Sequence, residues 1–551
     1  CSLVPPHTHT HTHTHSHPDM AALGLPKSAT AHYHMRRVAA QSTRRPQKWQ
    51  VPAVVGFQAR PSNDDKLFLR RDILGPLLRD HEPVVPVSTR ANLLAAIDKR
   101  ANYHTVKRAH SDIVKASSLL LDRIAPDAWD PISVTHDEFT SWNSQFDPAK
   151  QARHNKVWPL VSDITTKSFS AKQIFVKVEA LLKRHDKNWA PRIIYQSSDL
   201  HNVILGPYMQ KCCKRMFSAL KMGNSAEAVN YLGAYGTTSS ELASFIGRSG
   251  TDASRFIECD FSSNDMTQVA DVHMLEILWL RRFGAPLWLT GLLVHANSFN
   301  AVSHKYGVRV RVTNQLATGA QSTTFRNTMW NMTINHAFCL RVKAKGDSLV
   351  LGDDNTMRYD NPISSKSKNI RREYEHVCRM ACMIAKVKVH RFLSEATFLS
   401  KHFIPVVGGH VMVPKLGKAI GRFNARATSN DSVSDESYLA GKALSYSYEF
   451  RHCPPISRAF HEKFLRLAPD GDVSLEGIGW NAKGAFLAHG VSGVLSRLRT
   501  LDVCTRDDMT AFYFHKYSLT CSDVVDLVLM TLFGDEPIDV DLCCRVLEDF
   551  E

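Results

Sequence analysis

Residues 350–358 read V-L-G-D-D-N-T-M-R, and this stretch narrows the fold more than any other. Two adjacent carboxylates, Asp353 and Asp354, follow an apolar run. Side by side they repel, and desolvating them is unfavourable unless a cation or a turn compensates. Gly, Asp and Asn tolerate φ > 0, and S-L-V-L before them and T-M-R-Y after them read as strands. The plain expectation is a hairpin turn; the sharper one is a metal site on that turn. The triplet alone is weak and needs partners at the right distance.

One candidate partner lies about ninety residues upstream, in FIECDFSSNDMTQ (256–268). Phe256, Ile257 and Cys259 read as the apolar end of a strand with Asp260 at its exit. Ser262, Ser263 and Asn264 are helix N-cap types, and Val269, Val272, Leu275 and Trp279 follow at helical spacing until Gly284 and Pro286. An Asp at a strand end can approach the Asp pair of a neighbouring hairpin. Three carboxylates gathered there would need cations, and hard oxygen ligands suit Mg²⁺ or Mn²⁺. A capping box or surface turn accounts for Asp265 alone, but poorly for the whole set. Between these segments, LATGAQSTTFRNTMWNMT (316–333) reads as a flexible loop and then a helix. Thr323, Asn327 and Asn331 recur every four residues and share one face, which is either solvated surface or a hydrogen-bonding wall facing a sugar hydroxyl.

Composition fits these elements into a large globular chain of 551 residues, 44% hydrophobic and 22% charged. Lys and Arg outnumber Asp and Glu by 68 to 53, a net charge of +15. The first partner implied is nucleic acid, the second an anionic membrane surface. Twelve cysteines include no C-x-x-C pair; they read as inert core thiols in a reducing compartment. The longest apolar stretch, FGAPLWLTGLLVHA (283–296), is too short to span a bilayer and contains Pro286. HTHTHTHTHSH (7–17) and the basic stretch to residue 65 read as a disordered arm, with folded periodicity from about 66. The chain begins at Cys1 rather than Met, which suggests a partial frame, a readthrough or frameshift product, or a processed piece. G-x-x-x-x-G-K-[ST], H-E-x-x-H and G-x-S-x-G are all missing from the sequence, so phosphate-loop helicase, zincin and α/β-hydrolase readings lack their defining residues.

Taken in order, D-x4-D (Asp260, Asp265), T-G-x3-T-x3-N (Thr318, Gly319, Thr323, Asn327) and G-D-D (Gly352, Asp353, Asp354) resemble motifs A, B and C of the RNA-dependent RNA polymerases of positive-strand RNA viruses. MIAKVKVHRF (383–392) is similar to motif D, where the family carries a lysine proposed as general acid: Lys386, with Lys388 the alternative. EATFLSKHFIPV (395–406) resembles motif E, the hairpin that grips the primer end, with Phe398, Leu399 and Ser400 at its tip. KRHDKNWAPRIIYQ (183–196) resembles motif F, with Lys187 and Arg192 as the basic residues of the nucleotide entry tunnel. Thr318 stands where Ser is common and Asn264 where an aromatic is frequent. The overall style is closest to the nodavirus, tombusvirus and flavivirus-like assemblage.

The resemblance implies an α+β right-hand polymerase with a small antiparallel palm sheet and mainly helical fingers and thumb. Fingers would span 66–250, palm 251–284, a fingers insertion 285–310, palm again 311–406, and thumb 407–551, starting with the basic, Gly-broken PKLGKAIGRFN (414–424) beside the RNA. It implies two Mg²⁺ or Mn²⁺ ions, with Asp260 and Asp353 as ligands and Asp354 beside them. Lys187 and Arg192 would hold the triphosphate. Asp265 and Asn327, directly or through Thr323 and the Gly319 loop, would bond the 2′-hydroxyl. Partners would be RNA template and product, ribonucleoside triphosphates and other viral replication proteins, in the host cytoplasm at membrane-associated replication complexes. A reverse transcriptase would read Y-x-D-D at the turn, and a non-catalytic RNA-binding or capsid protein leaves the ordered carboxylates unexplained.

Overall fold

The computed structural model describes residues 54–57, 68–70, 83–101, 107–163, 169–179, 181–182, 190–222, 229–248, 254–360, 367–426, 432–498, 503–534 and 546. Among them are 17 α-helices and four small sheets, a mixed α/β architecture. Lys187 and the His-Thr tract lie outside the described residues.

The central sheet has five strands in the order Ala385–His390, Arg255–Phe261, Asp354–Asp360, Lys345–Leu351 and Val229–Gly233. Four are antiparallel to their neighbours; the last pairs parallel with Lys345–Leu351. That parallel edge strand, VNYLG, is a feature the sequence reading did not contain. Lys345–Leu351 and Asp354–Asp360 have five consecutive buried residues each, the pattern of strands covered on both faces. The cover on one side is the helix Thr323–Val342, buried from Phe325 to Cys339.

A buried helix this polar needs internal partners, because unpaired polar groups in a core cost about 1–3 kcal/mol each. Asn335 Nδ2 donates to Ser348 Oγ and Asn355 Oδ1, both at 2.9 Å. Asn355 Nδ2 donates in return to Asn335 Oδ1 at 3.1 Å and to the Tyr374 hydroxyl at 3.0 Å, and Tyr374 donates to Asn335 Oδ1 at 2.6 Å. This knot ties the helix, both hairpin strands and the helix Ser367–Met380 together. Asn335→Leu strands these partners and is expected to cost about 2 kcal/mol, read by equilibrium denaturation; an unchanged midpoint would remove the knot from the stability account.

At the next residue, burial and then the Arg123 guanidinium push His336 down to about 4 from its usual 6.5. A depressed folded pKa means the unfolded chain takes up the proton first. The stability this histidine contributes is therefore complete above pH 6.5 and is lost as pH falls toward 4. Thermal unfolding of wild type and His336→Phe is expected to diverge in that window, with wild type falling faster; parallel curves would contradict it.

The second sheet orders Val54–Phe57, Val308–Thr313, Ser298–Ser303, Ala171–Val176 and Ile193–Ser197. Its V-R-V-R-V-T strand alternates buried valines with exposed arginines, as period two requires. The boundary expected at residue 310 falls inside this strand. From Leu416 onward the described chain is helical, and six helices share a core containing Phe423, Leu444, Phe460 and Val524. Two are started by capping boxes, Thr505 with Asp508 and Thr520 with Asp523. The helix expected after Asp265 is broken in two, Asn264–Thr267 and Ala270–Arg282. Gln268 is extended at the break, and its side chain donates to Asn327 Oδ1 at 2.6 Å. The described cysteines are free thiols, and all but Cys382 are buried, as expected of core residues.

Candidate active site

The hairpin expected at 350–358 is present: Leu351 faces Asp354 across the ladder, so Gly352 and Asp353 form the two-residue turn. Gly352 has φ 61° while Asp353 is not among the positive-φ residues, the pattern of a type II′ turn, which places Gly first. The buried helix holds this turn from beneath. The Gly352 N–H donates to Thr328 Oγ1 at 2.8 Å, and Asn331 Nδ2 donates to the Gly352 carbonyl at 3.0 Å. Both Asp353 and Asp354 remain accessible to solvent above it.

Asp260 lies near the end of Arg255–Phe261, the strand beside the outgoing arm of the hairpin. Its cross-strand neighbour on the other side is Lys386, and Lys388 faces Glu258. Period two therefore puts Asp260, Glu258, Lys386 and Lys388 on one face. Desolvation, then the charges of Asp353 and Glu258, hold the Asp260 carboxyl above its usual range against the pull of Lys386 and Lys388. Asp354 rises further, to about 6. Protein surrounds it on most sides despite its accessible edge, and the Asp353, Asp260 and Glu258 charges add to that desolvation while Lys418 opposes it. The three aspartates thus feel one another as an excess of negative charge. Their hard oxygens suit Mg²⁺ or Mn²⁺, but among the described residues no three His, Cys, Asp or Glu side chains converge closely enough to hold an ion.

Asp265 is fixed at both oxygens. Asn327 Nδ2 donates to Oδ1 at 3.0 Å, and the Thr318 hydroxyl donates to Oδ2 at 2.7 Å. Desolvation outweighs these bonds and leaves its carboxyl pKa raised. The loop that brings Thr318 turns at Gly319, φ 92°, where a Cβ would stand 3.3 Å from Ile194 Cγ2. Its far side is held by the Tyr195 N–H, which donates to the Thr318 carbonyl at 3.0 Å. The stripe of Thr323, Asn327 and Asn331 is therefore turned toward protein rather than solvent, with Asn327 and Asn331 buried. Thr323 caps only its own loop, with a 3.5 Å contact to the Ala317 carbonyl.

Asp353, Asp265 and Thr318 share a cavity of about 220 Å³ with Arg192 and Arg100. Arg192 is held in a two-pronged ion pair by Glu179, which also binds Lys177 at 3.0 Å. Glu179, and then Asp353 and Asp265, raise the Arg192 pKa. Arg100 was missed in the sequence; it reaches the cavity from the distant helix Arg90–Arg100, its Nε donating to the Pro191 carbonyl at 3.0 Å.

Leu399 and Ser400 form a second two-residue turn with φ 50° and 59°, between the paired residues Phe398 and Lys401. Positive φ at a non-glycine pair is strained by about 1–2 kcal/mol per residue, so the surroundings must impose it. The Thr397 N–H and hydroxyl donate to Glu258 at 3.1 and 2.9 Å, and the Thr356 hydroxyl donates to the Thr397 carbonyl at 2.6 Å. Burial disfavours ionised Glu258, but His390, Lys388 and Thr397 more than offset it and pull its carboxyl down to about 2. Ser400 is exposed and accepts from Lys418 Nζ at 2.8 Å, whereas Phe398 is buried in a core cluster and Leu399 packs partly against it.

No curated protein matches the chain. A family model described as RNA-dependent RNA polymerase matches residues 53–472, well over half the chain and including every site residue named above, without resolving a subgroup. The chain therefore belongs to the RNA-dependent RNA polymerase family of positive-strand RNA viruses and is an RNA-directed RNA polymerase, a nucleotidyltransferase.

Proposed function

We propose that this chain replicates viral RNA by adding ribonucleoside triphosphates to an RNA 3′-hydroxyl in the cavity bounded by Asp353, Asp265, Thr318 and Arg192. The observation that carries the reading is that single cavity, in which a carboxylate-bearing hairpin turn, the Asp265 carboxylate and two guanidinium groups meet. The central sheet would be the palm, joined by Val229–Gly233; the second sheet, with the rest of 66–250 and 285–310, would be the fingers, and 407–551 the thumb.

Asp260 and Asp353, with Asp354 beside them, would hold two divalent cations. When bound, such ions activate the attacking oxygen and neutralise the leaving one. The rest falls to the chain's own groups. Arg192, exchanging Glu179 for phosphate oxygens, clamps the triphosphate, and guanidinium suits two-pronged binding. Arg100 adds charge behind it, and Lys187 is placed in the same role. Asp265, already bonded to Thr318 and Asn327, accepts from the 2′-hydroxyl. Lys386 stands across from Asp260 and is the better placed of the two lysines to protonate pyrophosphate. Phe398, Leu399 and Ser400 support the primer end, the buried Phe398 as the anchor of the turn. Among the described residues no helix is long and apolar enough to cross a membrane, so attachment to membrane-associated replication complexes in the host cytoplasm would run through other viral proteins.

The test is synthesis on a single-stranded RNA template with four ribonucleotides and Mg²⁺ or Mn²⁺. Template-directed product that disappears on chelation supports the reading. RNA binding by folded protein without synthesis under either metal would contradict it.

A further inference from the structure

Gln268 is a polar side chain in an apolar setting, 1% exposed between the fully buried Thr267 and Val269. Its extended backbone, φ −64° and ψ 134°, separates the helix Asn264–Thr267 from Ala270–Arg282. The side chain reaches Asn327, where Nε2 donates to Oδ1 at 2.6 Å. Among the described residues, the buried Gln268 Oε1 has no partner. A methionine would fill the same space without an unmade bond, and a buried acceptor left unpaired is destabilising. Stability alone therefore does not account for an amide here.

Asn327 has one donor group and one acceptor to place. Its Nδ2 donates to Asp265 Oδ1 at 3.0 Å, and the reverse orientation would set two acceptor oxygens against each other. Gln268 occupies Asn327 Oδ1 and so holds the amide with its N–H toward the carboxylate. That bond bears directly on Asp265. Burial biases the Asp265 carboxyl toward its neutral form, and the Asn327 bond is the largest of the interactions opposing it. A neutral carboxyl is the weaker acceptor for a sugar hydroxyl.

The backbone that carries Asn327 is fixed separately. The preceding residue, Arg326, is buried; its Nη2 donates to Asn297 Oδ1 at 3.1 Å and its Nε lies 3.5 Å from Glu276 Oε2. Glu276 in turn lies 3.2 Å from His273 Nδ1. Both belong to Ala270–Arg282, the helix that starts two residues after Gln268. This buried ion pair locks the two helices together, and the direction of the Asn327 amide is what remains for Gln268 to set.

We propose that Gln268 is a positioning residue for ribonucleotide selection: by orienting the Asn327 amide, it keeps Asp265 presented as the acceptor for the 2′-hydroxyl. This role rests on the reading of Asp265 as the group that bonds the sugar.

The experiment measures kcat/KM for a ribonucleotide and its 2′-deoxy analogue on one primed template, with full-length wild type, Q268M, N327L, Q268M/N327L and D265A. Q268M keeps the side chain's bulk, removes the donor and introduces no charge, so thermal unfolding is expected to match wild type. Its preference for the ribonucleotide is expected to fall about 5-fold, the value of one neutral hydrogen bond, with the loss on the ribonucleotide. Because Gln268 acts through Asn327, Q268M is expected to change nothing further in the N327L background. Wild-type preference in Q268M, an equal loss for both nucleotides, or a full 5-fold loss repeated in N327L would overturn the role of Gln268, while a preference lost in D265A would leave the sugar contact standing. Unchanged preference in D265A would remove the sugar contact itself, and the role of Gln268 with it.

Discussion

Asp265→Ala is expected to lower the preference for ribonucleotides over deoxyribonucleotides about 100-fold. Both carboxylate oxygens are already oriented, one by Asn327 and one by Thr318, so the group meets a 2′-hydroxyl without reorganising. A hydrogen bond to a charged acceptor is worth about 1.5–3 kcal/mol, and a site built around a substrate hydroxyl rejects the analogue lacking it strongly. Removing Asp265 also leaves the Asn327 amide and Thr318 hydroxyl without their acceptor, so Asp265→Asn is the cleaner companion variant. The measurement is kcat/KM for a ribonucleotide and its 2′-deoxy analogue on the same primed template. The loss should fall on the ribonucleotide and spare the deoxynucleotide. An equal loss for both would make Asp265 a purely structural support of the loop.

Much of this site was legible in the sequence, and for identifiable reasons. The turn at Gly352–Asp353 was readable because Gly and Asp punctuate two apolar strands, and local chemistry fixes a two-residue hairpin. The stripe Thr323, Asn327, Asn331 was readable as one helix face, but whether that face met solvent or protein is a tertiary question. The structure places Asn327 on Asp265 and Asn331 on Gly352. The same four-residue step reaches Asn335, which the sequence reading did not take up. Its partners, Ser348, Asn355 and Tyr374, come from three segments that no local pattern joins.

Other residues were hidden for similar reasons. Arg100 looks like an ordinary surface charge in its own window and acquires meaning only through its distant neighbours. Val229–Gly233 is a five-residue run whose parallel pairing is set by the whole sheet. The break at Gln268 was invisible because Val272, Leu275 and Trp279 keep helical spacing after it. Phe398 was placed at a tip from its position in the motif, whereas the two-residue turn is Leu399–Ser400 and Phe398 belongs to the core.

The largest expected effect belongs to Asp353→Asn. The side chain sits on a solvent-accessible turn whose geometry depends on Gly352, Thr328 and Asn331 rather than on its own carboxylate. The substitution therefore leaves the fold intact while removing a carboxylate from the group that Asp260 and Asp354 already feel. Weakening one group in a transition-state charge-stabilising constellation costs about 10²–10³ in kcat for a neutral donor. A lost carboxylate facing cations is expected to reach at least about 10³. Asp354→Asn should cost less, because that carboxyl is raised to about 6 and carries its charge less firmly.

The most direct test of the central claim is single-nucleotide addition on an annealed RNA primer and template by wild type and Asp353→Asn, purified identically, at saturating ribonucleotide and Mg²⁺. The account predicts extension by wild type, a loss of about 10³-fold or more in the variant, and equal RNA binding and thermal stability in both. Equal extension by the two proteins would remove Asp353 from the chemistry and contradict the account.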